Sequence, residues 1–299
     1  MLSIDIKLIL YFFLLVIGLI FLIFPFLKQN KKKIGNYEKY TFSKGRKIVV
    51  EGLNISSKQH YVHSYIEIDV TKARKKINKF KTDTKIDISF TGWLIKCIAQ
   101  SVTKHKIMHA RRAGFKKIII FDDVDVAYAI NRSLKGELIP FIHIIKKANE
   151  KSLREITREM RSVQSKKVND NDLIDHLETE YKLANLALKL PGIFTKIAWR
   201  VALRNPFIMK RVIGTVMVST VGGFGKFQGW ATPMGAQTLI FAINGINRKY
   251  REIGEKAEFR EILNLTISFN HDIVDGAPFA NFLNDLTNIL EKAENLDLF

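Results

Sequence analysis

One histidine stands between a predicted strand and a predicted helix near the end of the chain. The run Ser268–Gly276 reads Ser-Phe-Asn-His-Asp-Ile-Val-Asp-Gly, with His271 at its centre and Asp275 four residues later. The unperturbed pKa of imidazole lies close to neutral pH, so a neutral histidine can accept a proton there. The pattern His-x-x-x-Asp-Gly is a weak signal by itself, and its position between a strand and a helix strengthens it.

Two regular elements are predicted to position that histidine. Residues 263–269 alternate between apolar and polar, which is the period of a half-buried strand. Residues 279–290 carry apolar side chains at helical spacing, and Pro278 falls in the first turn, where its missing N–H costs nothing. A base held between two rigid elements keeps its orientation.

A second segment that could contact a ligand lies at residues 214–225. Residues 214–220 alternate as a strand, which ends in Ser219 and is followed by Gly222, Gly223 and Gly225. Glycines after a strand allow backbone or a hydroxyl to approach a ligand closely. The segment lacks the Gly-Lys-Ser/Thr ending and the dinucleotide-binding spacing, so it is a poor match to a phosphate loop.

Two histidine pairs have the spacing of metal ligands in a helix. His105 and His109 are four residues apart, and His60 and His63 are three apart. No third ligand is evident for either pair, so we interpret all four as surface or hydrogen-bonded histidines and predict no metal. The single cysteine, Cys97, excludes an intrachain disulfide and a thiolate cluster, and its apolar surroundings predict a buried thiol.

The composition predicts a folded, strongly basic protein. The chain has 299 residues, 47% of them hydrophobic, and a formal net charge of +19. Such a charge attracts polyanions, among them nucleic acid, anionic lipid and a polyphosphate cofactor. Charge alone does not choose among these three.

The N-terminal segment has the length of a membrane anchor. Residues 8–27 contain no charged residue, and a helix of that length spans about 30 Å, the thickness of a bilayer core. Lysines follow at 28 and 31–33, and positive flanks stay in the cytosol. We therefore expect a transmembrane anchor with a basic flank at residues 1–34, a linker at 35–60, and a single-pass membrane protein whose catalytic domain is cytoplasmic. A buried helix of a soluble domain is the alternative.

The rest of the chain, residues 61–299, predicts one α/β or α+β domain. About seven strands and five helices alternate irregularly, which indicates a mixed sheet. Ser152 with Glu155 three residues on predicts a capping box. A helical insertion is expected at about 166–213. Its cationic and aromatic residues at 193–211 suit either a helix on anionic lipid or a core helix with a basic face.

Several segments in the same order resemble a known family, the catalytic domain of the dihydrolipoamide acyltransferases of 2-oxoacid dehydrogenase complexes, which is related to chloramphenicol acetyltransferase. The similarity covers about residues 61–291. It implies a chloramphenicol acetyltransferase-like mixed sheet with flanking helices. The segments that carry it are residues 67–71, 136–142 with 148–153, 218–222 with 232–233, and 268–276.

The resemblance implies roles for the residues of the site. His271 would be the general base that deprotonates an acceptor thiol or hydroxyl, or coenzyme A in reverse. Ser219 would donate a hydrogen bond to the tetrahedral oxyanion, and Asp275 would fix the loop around His271. Gly276 and Asn270 would be structural residues at the site. The family's site lies between subunits of a trimer, so the resemblance also implies a homotrimer.

The sequence departs from the family pattern at two positions of the motif. Asp272 stands where the family usually has arginine, and Asn270 stands where aspartate is usual. There is no lipoyl domain in the chain, so a lipoyl group would come from a partner protein.

Three functions remain open from the sequence. The first is a membrane-anchored, coenzyme A-dependent acyltransferase whose acceptor is a thiol, hydroxyl or amine. The second is a catalytically inactive trimeric scaffold of the same fold at the membrane. The third is nucleic-acid binding, for which charge is the only support.

Overall fold

The computed structural model describes residues 6–27, 35–41, 50, 52–54, 56–114, 116–134, 137–165, 204–221 and 228–296. The chain divides into two units, Met1–Ser43 and Lys44–Phe299. The glycines at 222–225, the lysines at 28 and 31–33 and most of the predicted helical insertion, residues 166–203, lie outside the described residues. The predicted domain limits stay predictions.

The first unit contains one helix, α1 (Ile6–Leu27). Of the residues that the structure describes, none belongs to a helix that is both long enough and apolar enough to span a bilayer. The predicted transmembrane anchor and single-pass membrane localisation are therefore wrong, and the predicted contact with membrane lipid through this helix has no support. That prediction depended on length and flanking charge, which allow a span but do not require one.

The second unit alternates strands and helices, as the sequence predicts. A short 3₁₀ turn, Lys106–His109, follows the helix that ends at Lys104. The elements are β1 (Tyr61–Asp69), α2 (Thr71–Thr84), α3 (Phe90–Lys104), β2 (Arg111–Ala113), β3 (Lys117–Ile119), β4 (Val126–Leu134), β5 (Glu137–Ile145), α4 (Leu153–Ser165), α5 (Pro206–Ile213), β6 (Val216–Thr220), β7 (Leu239–Ile253), β8 (Lys256–Asn270) and α6 (Gly276–Glu291).

Six of these strands form one sheet in the order β1-β8-β7-β6-β4-β5, and β2 pairs only with β3. β6 is parallel to both β4 and β7, whereas β1, β5 and β8 run antiparallel to their neighbours. The predicted mixed sheet with flanking helices is therefore confirmed.

The hydrophobic core lies between one face of this sheet and the helices. Leu265, Ile267 and Phe269 of β8 point into it, where Trp93 of α3 and Phe282 of α6 are fully buried. Burying a side chain of this size contributes about 1.5–3 kcal/mol. Because β8 enters the core directly before residue 271, the packing fixes the end of the strand that precedes His271.

The opposite face of β8 is also buried, which the prediction of a half-buried strand missed. Thr266 and Ser268 are completely inaccessible to solvent, and Asn264 donates to the carbonyl of Gln228 at 3.0 Å. The other two polar side chains also have partners, which a buried polar group needs. Asn244 Nδ2 donates to Thr266 Oγ1 at 3.1 Å, and His63 Nδ1 lies 2.7 Å from Ser268 Oγ. Alternation therefore separated apolar from polar side chains without separating buried from exposed ones.

The helix starts follow local sequence signals. Glu155 N donates to Ser152 Oγ at 3.2 Å and Ser152 N donates to Glu155 Oε2 at 2.8 Å, so the capping box is confirmed. Pro206 lies in the first turn of α5, and Asn205 Oδ1 accepts from Phe207 N at 2.9 Å. Proline in the first turn has no helical N–H to lose.

Candidate active site

His271 lies directly after β8 and five residues before α6, as the sequence predicts. Its backbone N–H donates to the carbonyl of His60 at 2.7 Å. Tyr61 pairs with Asn270 in the antiparallel β1–β8 register, so this bond continues the ladder by one residue. The side chain is 47% exposed, so the imidazole is anchored through its backbone while its ring meets solvent.

Asp275 does not hold the ring of His271 at hydrogen-bond distance. Its Oδ1 lies 3.8 Å from Nδ1 of His271, and its side chain is 85% exposed. Asp275 is the N-cap residue of α6, but its side chain makes no capping hydrogen bond. Its backbone carbonyl accepts from Phe279 N at 3.2 Å. The role predicted for its carboxylate therefore stays a prediction.

Asn270 organises the loop that carries His271. Its side chain is buried, and its Oδ1 accepts from Asp272 N at 2.9 Å. Its backbone carbonyl accepts from Val274 N at 3.1 Å, and its own N–H donates to Thr238 O at 2.9 Å. An amide side chain suits this position because it needs no counter-charge when it is buried.

Gly276 begins α6 in open space. A Cβ added there would meet no heavy atom within 4 Å, so the chain by itself gives no steric reason for glycine at this position.

Asp272 has a partner that sequence reasoning did not find. Its Oδ1 lies 2.7 Å from Nδ1 of His60, which immediately precedes β1. In the sequence, Asp272 is a departure from the family pattern, and His60 has only the spacing of a metal ligand. The contact between them depends on the pairing of β1 with β8, whose register places residue 60 opposite residue 271.

Ser219 lies far from His271 within one chain. Ser219 pairs with Ala242, and Ala242 pairs with Thr266, so Thr266 marks the level of Ser219 on β8. His271 is five residues further along at roughly 3.3 Å each, and two strand spacings of roughly 4.8 Å separate β6 from β8. The two residues are therefore roughly 19 Å apart. One chain does not bring them to the same reacting atom.

The four histidines considered as metal ligands are engaged in hydrogen bonds with separate partners. His105 Nε2 lies 2.8 Å from Asp285 Oδ2, and His63 Nδ1 lies 2.7 Å from Ser268 Oγ. His109 is completely buried, with its ring nitrogens at 3.1 Å from Thr215 Oγ1 and 3.0 Å from Phe121 O. This bears out their interpretation as hydrogen-bonded residues. Across the described part of the chain, no group of three metal-ligating side chains is arranged around a common point.

The buried Arg111 and the partly buried Tyr61 support the segment behind the loop. Arg111 Nη2 donates to Ala236 O at 3.0 Å, and burial lowers the pKa of this arginine to about 10. The hydroxyl of Tyr61 donates to Gln237 O at 2.5 Å, and burial raises its pKa. Both hold residues 236–238, which in turn accept from Asn270 through Thr238. Sequence reasoning missed them because neither residue belongs to a recognisable motif.

A half-exposed imidazole on a rigid strand-to-helix loop can accept a proton from a bound group. No carboxylate lies within hydrogen-bond distance of this ring among the described residues, so the arrangement differs from that of a hydrolase triad. An imidazole in this arrangement can act as a single general base.

Comparisons with known proteins were made for both sequence and structure. A lipoamide acyltransferase component of the branched-chain alpha-keto acid dehydrogenase complex from Bacillus subtilis is 25% identical over 246 residues, which is 80% of this chain and 49% of that protein. A dihydrolipoyllysine-residue acetyltransferase component of the pyruvate dehydrogenase complex from Rickettsia conorii is 24% identical, over 90% of this chain and 58% of that protein. The chain thus spans about half the length of the curated relatives it matches.

Two solved structures share the fold. The cubic core of the pyruvate dehydrogenase multienzyme complex matches with a TM-score of 0.66 and 17% identity, over 90% of this chain and 97% of that one. The truncated catalytic core of the 2-oxoacid dehydrogenase complex from Thermoplasma acidophilum matches with a TM-score of 0.60 and 18% identity, over 86% of this chain and 100% of that one.

The family resemblance noted in the sequence is confirmed by a family model. The model described as 2-oxoacid dehydrogenases acyltransferase (catalytic domain) matches residues 35–177 and 211–298. These ranges include the strand of Ser219 and the loop of His271 and make up more than half of the chain. The chain therefore belongs to the family of 2-oxoacid dehydrogenase acyltransferase catalytic domains.

Proposed function

We propose that this chain is a coenzyme A-dependent acyltransferase that moves an acyl group between coenzyme A and a thiol of the dihydrolipoyl type. Membership of the family supports the reaction class. The observation that carries the assignment of the base is the half-exposed ring of His271 on a loop held by β1, β8 and Asn270.

In the proposed reaction His271 acts as a general base. The neutral imidazole accepts the proton of the acceptor thiol, and the thiolate attacks the carbonyl carbon of the acyl thioester. The tetrahedral intermediate then collapses, the bond between that carbon and the original sulfur breaks, and the departing thiolate takes the proton back from the imidazolium. No covalent acyl-enzyme is needed, and the same steps run in either direction.

The proposed oxyanion donor is Ser219 of a neighbouring copy of the chain. A hydroxyl donor of this kind is typically worth about 2.7–4 kcal/mol of transition-state stabilisation. Because Ser219 and His271 are roughly 19 Å apart within one chain, the pair can act together only across a subunit interface. A homotrimer with three equivalent interfaces satisfies this requirement.

The proposed substrates agree with the charge of the chain. A net charge of +19 favours binding of the phosphates of coenzyme A. The relatives are named as acyltransferases of lipoamide or of dihydrolipoyllysine residues, so we propose a lipoylated partner protein as the acyl carrier.

An acyl-transfer assay tests this function directly, with the products separated by chromatography because the total number of free thiols does not change. Acetyl-, succinyl- and branched acyl-coenzyme A are supplied with dihydrolipoamide, and free coenzyme A is measured. We expect turnover that falls by about a hundredfold or more in His271→Ala, since general-base catalysis contributes about 10²–10⁴. The protein's own thiol does not interfere, because Cys97 is buried and burial raises its pKa to about 12.

The assay is combined with sedimentation measurements of the assembly. Trimers that turn over no acyl-coenzyme A would contradict the proposed activity and favour the inactive scaffold. Turnover that survives His271→Ala would leave the reaction class standing and remove His271 from it.

A further inference from the structure

Two contacts join the residue before β1 to the loop that carries His271. The carbonyl of His60 accepts from the backbone N–H of His271 at 2.7 Å. The ring of His60 then reaches one residue further, where its Nδ1 lies 2.7 Å from Oδ1 of Asp272. One residue thus contacts two successive loop residues, one through its backbone and the other through its side chain.

The loop has few other restraints on the exposed side. Asp275, the other charged residue of the loop, lies 3.8 Å from the His271 ring, beyond hydrogen-bond distance. On the buried side, the backbone N–H of Asp272 donates to Oδ1 of Asn270 at 2.9 Å. Asp272 is therefore held at two points: its backbone N–H by Asn270, and its carboxylate by the ring of His60. The direction of the His271 side chain depends on the backbone between these two anchors.

We infer that His60, acting through its pair with Asp272, is a positioning residue for His271. This inference rests on the proposed function, in which His271 is the base. The aspartate that departs from the family pattern then has a role, because it ties the loop to the strand beginning at Tyr61. His60 touches no reacting atom in this scheme and acts only through the orientation of His271.

The side chain of His60 is 83% exposed and that of Asp272 is 26% exposed. Exposed ion pairs add little to global stability. Loss of the pair should consequently change the loop much more than it changes folding. This separates a positioning role from a general structural one.

The test compares four variants with a matched control. His60→Ala and Asp272→Ala each remove the pair, and their combination completes a double-mutant cycle. His60→Asn keeps a side-chain N–H close to the position of Nδ1 and should restore the contact. The control is His105→Ala, which removes a similar histidine–aspartate pair, His105 Nε2 to Asp285 Oδ2 at 2.8 Å, away from the loop.

We expect His60→Ala and Asp272→Ala each to lower kcat about three- to fivefold with KM unchanged, and the double variant to be no worse than either. His60→Asn and His105→Ala should retain the wild-type kcat. A kcat of His60→Ala equal to that of His105→Ala would overturn the inference, and so would additive losses in the double variant.

Hydrogen exchange of the His271 amide provides a readout that does not need activity. We expect exchange about threefold faster in His60→Ala and Asp272→Ala, with no change in His60→Asn or His105→Ala. If the wild-type chain shows no acyl transfer, the proposed function fails, and this measurement alone decides whether His60 holds the loop. Unchanged exchange in His60→Ala would then contradict the inference.

Discussion

Nδ1 of His271 and Oδ1 of Asp275 are separated by 3.8 Å, although the two residues belong to the same short loop. This separation exceeds the range of a hydrogen bond, and the carboxylate is largely surrounded by solvent. Solvent screens such a pair, so Asp275 contributes little to the orientation of the ring within one chain. The loop is held instead from its buried side, where Asn270 makes hydrogen bonds through both its side chain and its backbone.

The first prediction compares the effects of removing the Asp275 and the Asn270 side chains. Asp275→Ala should lower kcat less than tenfold, since it removes an exposed carboxylate beyond hydrogen-bond distance. Asn270→Ala should lower kcat more and should also reduce the free energy of unfolding by about 0.5–1.5 kcal/mol, because the N–H of Asp272 loses its hydrogen bond to Oδ1 of Asn270. Steady-state kinetics and urea unfolding measure the two effects. An Asp275→Ala variant as inactive as His271→Ala would mean that a neighbouring subunit brings this carboxylate into the reaction.

The second prediction concerns the roughly 19 Å between Ser219 and His271 in one chain. Ser219→Ala and His271→Ala homotrimers should each be nearly inactive. When the two are unfolded together in equal amounts and refolded, random assembly should give about one quarter of the interfaces an intact serine and an intact histidine. Recovered activity should therefore approach about one quarter of wild type. Mixtures that stay inactive would contradict a site shared between subunits.

The third prediction is an acid sensitivity of folding that originates at His109. Burial lowers the pKa of this residue from 6.5 to about 4, because removal from water disfavours the charged ring, and the hydrogen bond to the carbonyl of Phe121 opposes this effect only in part. The unfolded chain binds the proton more readily than the folded chain. The stabilising contribution is thus complete above about pH 6.5 and is lost as the pH falls towards about 4, a total of about 3 kcal/mol.

Urea unfolding across this pH range provides the measurement. A His109→Asn variant should be less stable at pH 7 but should lose less stability between pH 6.5 and 5 than the wild type does. Parallel pH profiles for the two proteins would exclude His109 as the source. His105→Ala serves as a control, because His105 is partly exposed and paired with Asp285.

The fourth prediction concerns the turn that leads into the strand of Ser219. Gly214 ends α5 with φ 71° and ψ −171°, a backbone region that is essentially restricted to glycine. A Cβ there would also lie 2.7 Å from the carbonyl oxygen of Asp125. Gly214→Ala should therefore reduce the free energy of unfolding by at least about 3 kcal/mol.

Gly254 provides the matched comparison for this clash. Its φ is also positive, at +61°, but a Cβ there would meet no heavy atom within 4 Å. Gly254→Ala should reduce the free energy of unfolding by only about 1 kcal/mol. If urea unfolding gave equal losses of unfolding free energy for the two variants, backbone movement would be relieving the contact between the new Cβ and the Asp125 carbonyl.

Local sequence signals predicted the immediate surroundings of His271 well. The alternation before Asn270 and the helical spacing after Gly276 placed the histidine between a strand and a helix, as observed. The capping box at Ser152 was found in the same way. These signals involve residues within one or two turns of each other, and such residues interact in any fold that keeps the element.

The prediction of a membrane anchor also depended on a local sequence signal, and it was wrong. Length and the absence of charge in residues 8–27 describe only a segment that could span a bilayer. In the described chain no helix meets that requirement. The alternation of β8 was also incomplete as a guide, because the polar face of this strand is buried as well as its apolar face.

The sequence by itself determined the elements around the candidate base and, through its motifs, the family of the chain. The tertiary structure alone decided which distant residues meet. His60 contacts Asp272 across 212 positions because β1 pairs with β8 in one register, and Ser219 is kept from His271 because two strand spacings and five residues intervene. The physical reason is that strand order and register depend on packing across the whole sheet, which no local period or spacing records.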